Sequence, residues 1–174
     1  MRNSSIVGHA SVIRCIEAYK TELNEYPAPA NPDVTVTIDG VKFPVGGAMM
    51  IYQIVGGDGD DQIAAFAAGG KPSDGLVEND QFSSYTIGVD WIKWKEVEGR
   101  RFAVDSYGHP YQYEKGGSPD AVNPTFDVWS YGGDSTTFGL RDAATKRDPV
   151  KTARWIKNFP LQVVEASPVI LPKR

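Results

Sequence analysis

Val12, Ile16, Tyr19, Leu23 and Tyr26 follow one another at intervals of 4, 3, 4 and 3 residues. That is the period of a helix with one buried face. Glu17, Lys20, Glu22 and Asn24 fill the opposite face, and Pro27 and Pro29 stop the helix because proline cannot continue it. From Val12 to Tyr26 such a helix runs about 21 Å at about 1.5 Å per residue. Asn3, Ser4, Ser5 and Ser11 are all candidate caps, so the helix is placed at about residues 6–26. A stripe of this kind needs an apolar surface to lie on, and the rest of the chain must supply it.

Beyond Pro29 the chain reads as short elements separated by turns. DVTVTIDGVKFPV (33–45) alternates apolar and polar residues around Asp39-Gly40, a strong hairpin signal because both turn residues take positive φ. AMMIYQIVGG (48–57) reads as a short helix ended by Gly56 and Gly57. Residues 61–99 read as a long, loop-rich insertion, although 91–104 (WIKWKEVEGRRFAV) can also be strand or extended, most convincingly at Phe102–Val104. Tyr111–Glu114 and Thr125–Ser130 read as two strands whose residues Tyr111, Tyr113, Phe126 and Val128 make one apolar face. Residues 131–149 read as a polar loop. Asp148 and Pro149 then suit the cap and first position of a short helix over 149–159, and a proline-bearing tail covers 160–174. The fold class is therefore α+β in a single domain: an N-terminal helix packed on a small antiparallel sheet of three or four strands.

Charge and cysteine content narrow the function classes. The net charge is −4, and the most basic window, KRDPVKTARWIK (146–157), is broken by Asp148. That balance argues against a nucleic-acid partner, which needs a basic stripe to displace counterions. The single cysteine, Cys15, allows no internal disulfide and reads as a small packed apolar residue.

Several residues could carry chemistry. Asp105 and His109, with Ser106 or Ser130, invoke a hydrolase; His109 lies between Gly108 and Pro110, however, so a turn held by Asp105 is the better reading. His9 reads as exposed, and two histidines far apart from one cysteine do not make a usual zinc site. The acids of DGDD (58–61) fail the calcium-loop spacing, because the twelfth position is Gly69. The loop holding Asp134, Asp142 and Asp148, loosened by Gly132 and Gly133, could gather carboxylates and carbonyls around a hard cation. Trp91, Trp94, Tyr107, Tyr111, Tyr113, Trp129 and Tyr131 could form a sugar platform, although core packing is the commoner use of such residues.

Four phrases in order, EAYKTELNEYP, MIYQIVGGDGDD, VDSYGHPYQYE and NPTFDVWSYGGD, resemble the type IV pilin-like proteins, and among them the G-type major pseudopilin of type II secretion. In that family the helix ends in "LxxYKxxxGxYP", followed by "DPWGxPYxY" and "FDLxSxGxDG". Asp105, Gly108, Pro110, Tyr111 and Tyr113 match the second phrase; Phe126, Asp127, Ser130, Gly132 and Asp134 match the third. The likeness covers residues 10–60 and 100–135 and leaves 61–99 and the tail uncovered. It implies a non-enzymatic filament subunit that self-assembles with pilin-like partners. It implies anchoring in the inner membrane through an apolar helix half N-terminal to this chain, with the globular part periplasmic or extracellular. It also implies calcium in the loop after the last conserved strand, held by Asp134, the Tyr131 carbonyl and a second acid, for which Asp142 stands nearest because Arg141 occupies the expected place. The alternative from another class is a secreted binding module for carbohydrate, using exposed aromatics and the 61–99 insertion.

Overall fold

The computed structural model describes residues 1–29, 31–54 and 92–159. The chain is mixed α+β, with an N-terminal helix and small antiparallel sheets. Helix α1 spans Arg2–Leu23. The strands of the first hairpin are β1 (Thr35–Ile38) and β2 (Val41–Pro44), followed by helix α2 (Gly46–Ile54). A second hairpin holds β3 (Lys93–Val97) and β4 (Arg100–Val104). A three-stranded sheet in the order β5-β6-β7 is built from Gln112–Lys115, Phe126–Ser130 and Ile156–Lys157. A bridge between Val104 and Pro110 links β4 to the approach of β5.

Helix α1 begins earlier than its apolar spacing predicts and stops before Tyr26. Its inward stripe is Ser5, Gly8, His9, Ser11, Val12, Cys15, Ile16 and Tyr19. The first four of these are not apolar, so a count of apolar residues cannot see that half of the stripe. Asn24 ends the helix in the left-handed conformation, and its N–H returns to the Lys20 carbonyl. Lys20 caps the same end, donating to the Asn24 carbonyl at 2.8 Å. Tyr26, beyond the helix, packs on Phe126 and donates to Glu17 Oε2 at 3.1 Å.

The apolar half of α1 buries Val12, Cys15, Ile16 and Tyr19 against Met50, Ile51 and Ile54 of α2 and against Tyr111, Tyr113, Phe126 and Val128. Here the expected sheet face is realised. The opposite face of β6 is covered too: Trp129 and Tyr131 pack with Phe43, Trp155 and Phe159 in a second core. Trp129 and Trp155 stack with centroids 5.8 Å apart. Aromatic side chains bury more apolar area than any others, so this second core is the natural place for them.

Two hairpins turn through pairs of positive-φ residues, Asp39-Gly40 as expected and Glu98-Gly99. The second hairpin bears out the extended reading of 91–104 and shortens the insertion, since 93–99 belongs to β3 and its turn; residues 55–91, with the DGDD acids and the glycines closing α2, lie outside the described residues. The 131–149 loop contains a 3-10 turn at Ser135–Thr137 and a short helix α3 at Ala143–Lys146. Over 149–159 the structure has turns and then β7 instead of a helix. Asp148 does cap this segment, accepting from the Val150 and Lys151 N–H groups, but Trp155 must reach Trp129 and the chain leaves the helical path to pair with β6. The tail lies outside the described residues.

Candidate functional site

Three polar constructions converge on the sequence-predicted residues. The first is the turn Asp105–Pro110. Asp105 is 2% exposed, and its Oδ1 accepts from the Tyr107 and His109 N–H groups at 2.9 and 3.0 Å. The Ser130 hydroxyl donates to its Oδ2, and Ser130 Oγ in turn accepts from the Gly132 N–H. Asp105 thus ties the turn to the end of β6. The His109 imidazole lies elsewhere, between Phe43 and Phe138 at centroid distances of 5.5 and 4.6 Å. Asp105 meets Ser130 directly with no imidazole between them, and Ser130 is fully buried. The turn reading accounts for the Asp105 contacts, while the His109 ring packs between the two phenylalanines.

The second construction is an ion pair, Lys146 with Asp127, whose side chains are both fully buried, 3.0 Å apart. Asp127 also accepts from the Val122 and Asn123 N–H groups, and Lys146 also donates to the Asp120 carbonyl. The ammonium lies 4.5 Å from the Trp129 ring centroid. Burial pushes the Lys146 amine below its ordinary range, opposed by the Asp127 charge. Together the two residues pin the 116–125 connection to the last part of the chain.

The third is the loop that the resemblance assigns to calcium. Asp134 Oδ1 accepts from the Thr136 N–H at 3.2 Å and its hydroxyl at 2.6 Å. Asp142 accepts from the Thr145 N–H and hydroxyl, both at 2.8 Å, which holds its carboxyl below the usual range. The Tyr131 carbonyl accepts from the Asp134 N–H. Each acid caps its own turn, and among the described residues no three His, Cys, Asp or Glu side chains gather about one point. Calcium takes six to eight oxygens; these residues do not fit it, and no role is derived for the ion.

Other assignments are settled by burial. Tyr111, Tyr113, Trp129 and Tyr131 are core residues, while Trp94 is exposed and Tyr107 half-buried, so the described aromatics form no platform; Trp91 lies outside the described residues. His9 is 5% exposed instead of free, with Nε2 2.9 Å from the Val128 carbonyl. Ser5 Oγ accepts from the Ser106 N–H beside it, and Arg2 donates to the Arg154 carbonyl. Ser5, Gly8 and His9 continue the helical spacing of 12, 15 and 16, but none of them is apolar, and their partners lie far away in the chain.

Burial lowers the pKa of His9 and of His109 below the ordinary imidazole value. Below about pH 6.5 the unfolded chain therefore binds protons that the folded chain does not. Stability contributed by the neutral rings is complete above that pH and falls as the pH drops toward the folded-state values. Thermal unfolding between about pH 7 and pH 5 should show a falling Tm, with a shallower slope in His9→Gln and a still shallower one in His9→Gln/His109→Gln. An unchanged slope in both variants would place the pH dependence elsewhere.

Among the described residues, no helix is long and apolar enough to cross a membrane. Comparison with known protein families, with curated proteins and with solved structures finds no match for this chain.

Proposed function

We propose that this chain is the globular part of a pilin-like filament subunit, of the kind found in type II secretion pseudopili and type IV pili. One observation carries the reading. At its N-terminal end helix α1 turns Ser5, Gly8, His9 and Ser11 inward and leaves Ile6 and Val7 exposed, beside Arg2, Asn3 and Ser4. Apolar side chains turned outward on one end of a clamped helix suit burial against neighbouring copies or a membrane. The buried state of Asp105 and Ser130 favours a structural role over catalysis. In this reading the subunit is anchored in the inner membrane by an apolar helix half upstream of residue 1, and its sheet lies on the periplasmic or extracellular side.

The test is cysteine cross-linking of the gene's full product in its own cells, with Val7→Cys as the reporter. Cys15 makes a quiet background, since burial pushes its thiol up to about 11 and keeps it protonated. The expected result is a ladder of disulfide-linked multimers in the membrane fraction under mild oxidation. Monomer alone, in a soluble fraction, would remove the proposal.

A further inference from the structure

An amine and a carboxylate, both shut away from water and held in contact, are the reactants of an amide bond. Lys146 ends α3 and Asp127 lies in β6; both side chains are fully buried, with Nζ 3.0 Å from Oδ2. Each reactant is also fixed from elsewhere. Lys146 Nζ donates to the Asp120 carbonyl at 2.6 Å and sits 4.5 Å from the Trp129 ring centroid. The Val122 N–H donates to Asp127 Oδ2 at 2.7 Å, and the Asn123 N–H to Oδ1 at 2.9 Å.

A second carboxylate completes the group. Glu114 stands directly opposite Asp127 in the β5-β6 register, so both project from one face of the sheet with their Cβ atoms about 5 Å apart. Arg141 holds Glu114 at 3.1 Å, and the Glu114 charge is near enough to act on Lys146. Burial pushes the Lys146 amine toward its neutral, nucleophilic form, against the pull of the Asp127 and Glu114 charges. Loss of water from the pair would replace two buried charges by one neutral amide, which removes the cost of keeping ions out of water. Fixed contact between the reactants supplies the proximity that such a condensation lacks in solution.

We propose that Lys146 and Asp127 join in an intramolecular amide bond, with Glu114 carrying the proton. The ion pair is the starting state. One ammonium proton passes to Asp127 Oδ2 across their hydrogen bond, and the freed nitrogen lone pair attacks Cγ. Charge then gathers on Oδ1, where the Asn123 N–H already donates. Glu114 takes a second proton from the nitrogen and delivers it to Oδ2, which leaves as water. One N–C bond forms, one C–O bond breaks, and nothing is oxidised or reduced. The bond staples α3 to the middle strand of the sheet. It is independent of the filament reading, since it follows from these three side chains and their surroundings.

Intact-mass spectrometry of the whole purified chain in denaturing solvent tests it. The chain should be lighter than its sequence by one water molecule. After trypsin, fragments 116–141 and 142–147 should stay joined, with no cleavage after Lys146. The position matters because an Asp-Gly step such as Asp39-Gly40 can also lose water, as a succinimide. Lys146→Arg should have the full mass. Glu114→Gln leaves both reactants in place and should form the bond about a hundredfold more slowly or worse, so that the freshly purified variant is mostly unlinked and gains the bond on incubation. Asp127→Ala and Lys146→Met both lack the bond, so their relative stability reports the non-covalent contacts alone. The wild-type measurement needs no variant to fold: full sequence mass after prolonged incubation of the folded chain would overturn the proposal. So would a loss of water that persists in Lys146→Arg, or two tryptic fragments that separate. Complete linkage in fresh Glu114→Gln would overturn the role given to Glu114.

Discussion

Asp127→Ala should lower the unfolding free energy by about 3–5 kcal/mol, seen as a lower urea midpoint at an unchanged slope. The carboxylate it removes has four jobs. It balances the buried Lys146 ammonium at 3.0 Å, and it accepts two backbone N–H groups, of Val122 at 2.7 Å and Asn123 at 2.9 Å. It also holds these partners together on the face of β6 that carries Trp129. Once it is gone, Lys146 keeps the Asp120 carbonyl and the Trp129 ring. An ammonium in that position is a buried charge without its counter-ion, and two amides lose their acceptor. Lys146→Met should cost less, because the long apolar side chain can rest on Trp129 and Asp127 keeps its two N–H donors. The order of the two variants is the sharper check. If Lys146→Met were the more damaging, the carboxylate would not be the hub of this region.

The second large effect is expected at Asp105. Asp105→Ala should cost about 3 kcal/mol or more, the scale of losing hydrogen bonds to a charged acceptor and leaving buried donors unpaired. The Tyr107 and His109 N–H groups and the Ser130 hydroxyl all lose their partner. Asp105→Asn should recover much of that loss. Its carbonyl can still take the two N–H groups, and the Ser130 hydroxyl can rotate to accept from the amide. Chemical denaturation of the three proteins measures the series. A small cost for Asp105→Ala would mean that the turn is held by its backbone bonds alone, Asp105 N–H to His109 and Gly108 N–H to Asp105.

What could be read in the sequence depended on whether a local pattern was apolar. The stripe from Val12 to Tyr19 and the alternation of Tyr111, Tyr113, Phe126 and Val128 both announced the helix-on-sheet core, because burial of those residues needs no distant partner to be recognised. The Asp39-Gly40 turn was equally plain. Glu98-Gly99 makes a second turn with both φ values positive, and it was missed because glutamate is not a residue that favours that conformation. Ser5 and His9 were missed for another reason. They are buried by hydrogen bonds to Ser106 and Val128, about a hundred residues away in the chain, and spacing alone does not predict such partners. Asp127 was readable as a residue that bonds neighbouring backbone, as it does with the Val122 and Asn123 N–H groups, but its ion pair with Lys146 was not. At Asp148 and Pro149 the local cap was legible, yet the pull of Trp155 toward Trp129 overrode the helix it would start. The acids of the loop after β6, Asp134 and Asp142, look like ligands in sequence, and in the fold each caps its own turn.

The clamped helix is the feature on which the filament reading stands, and nuclear Overhauser contacts test it most directly. The His9 ring should show cross-peaks to Val128 and to the Tyr111 ring, whose centroid is 6.5 Å away, while the Val7 methyls show none to any sheet residue. A solvent-exposed His9 ring, with the Val7 methyls in contact with the sheet, would mean that the helix is seated on its other face.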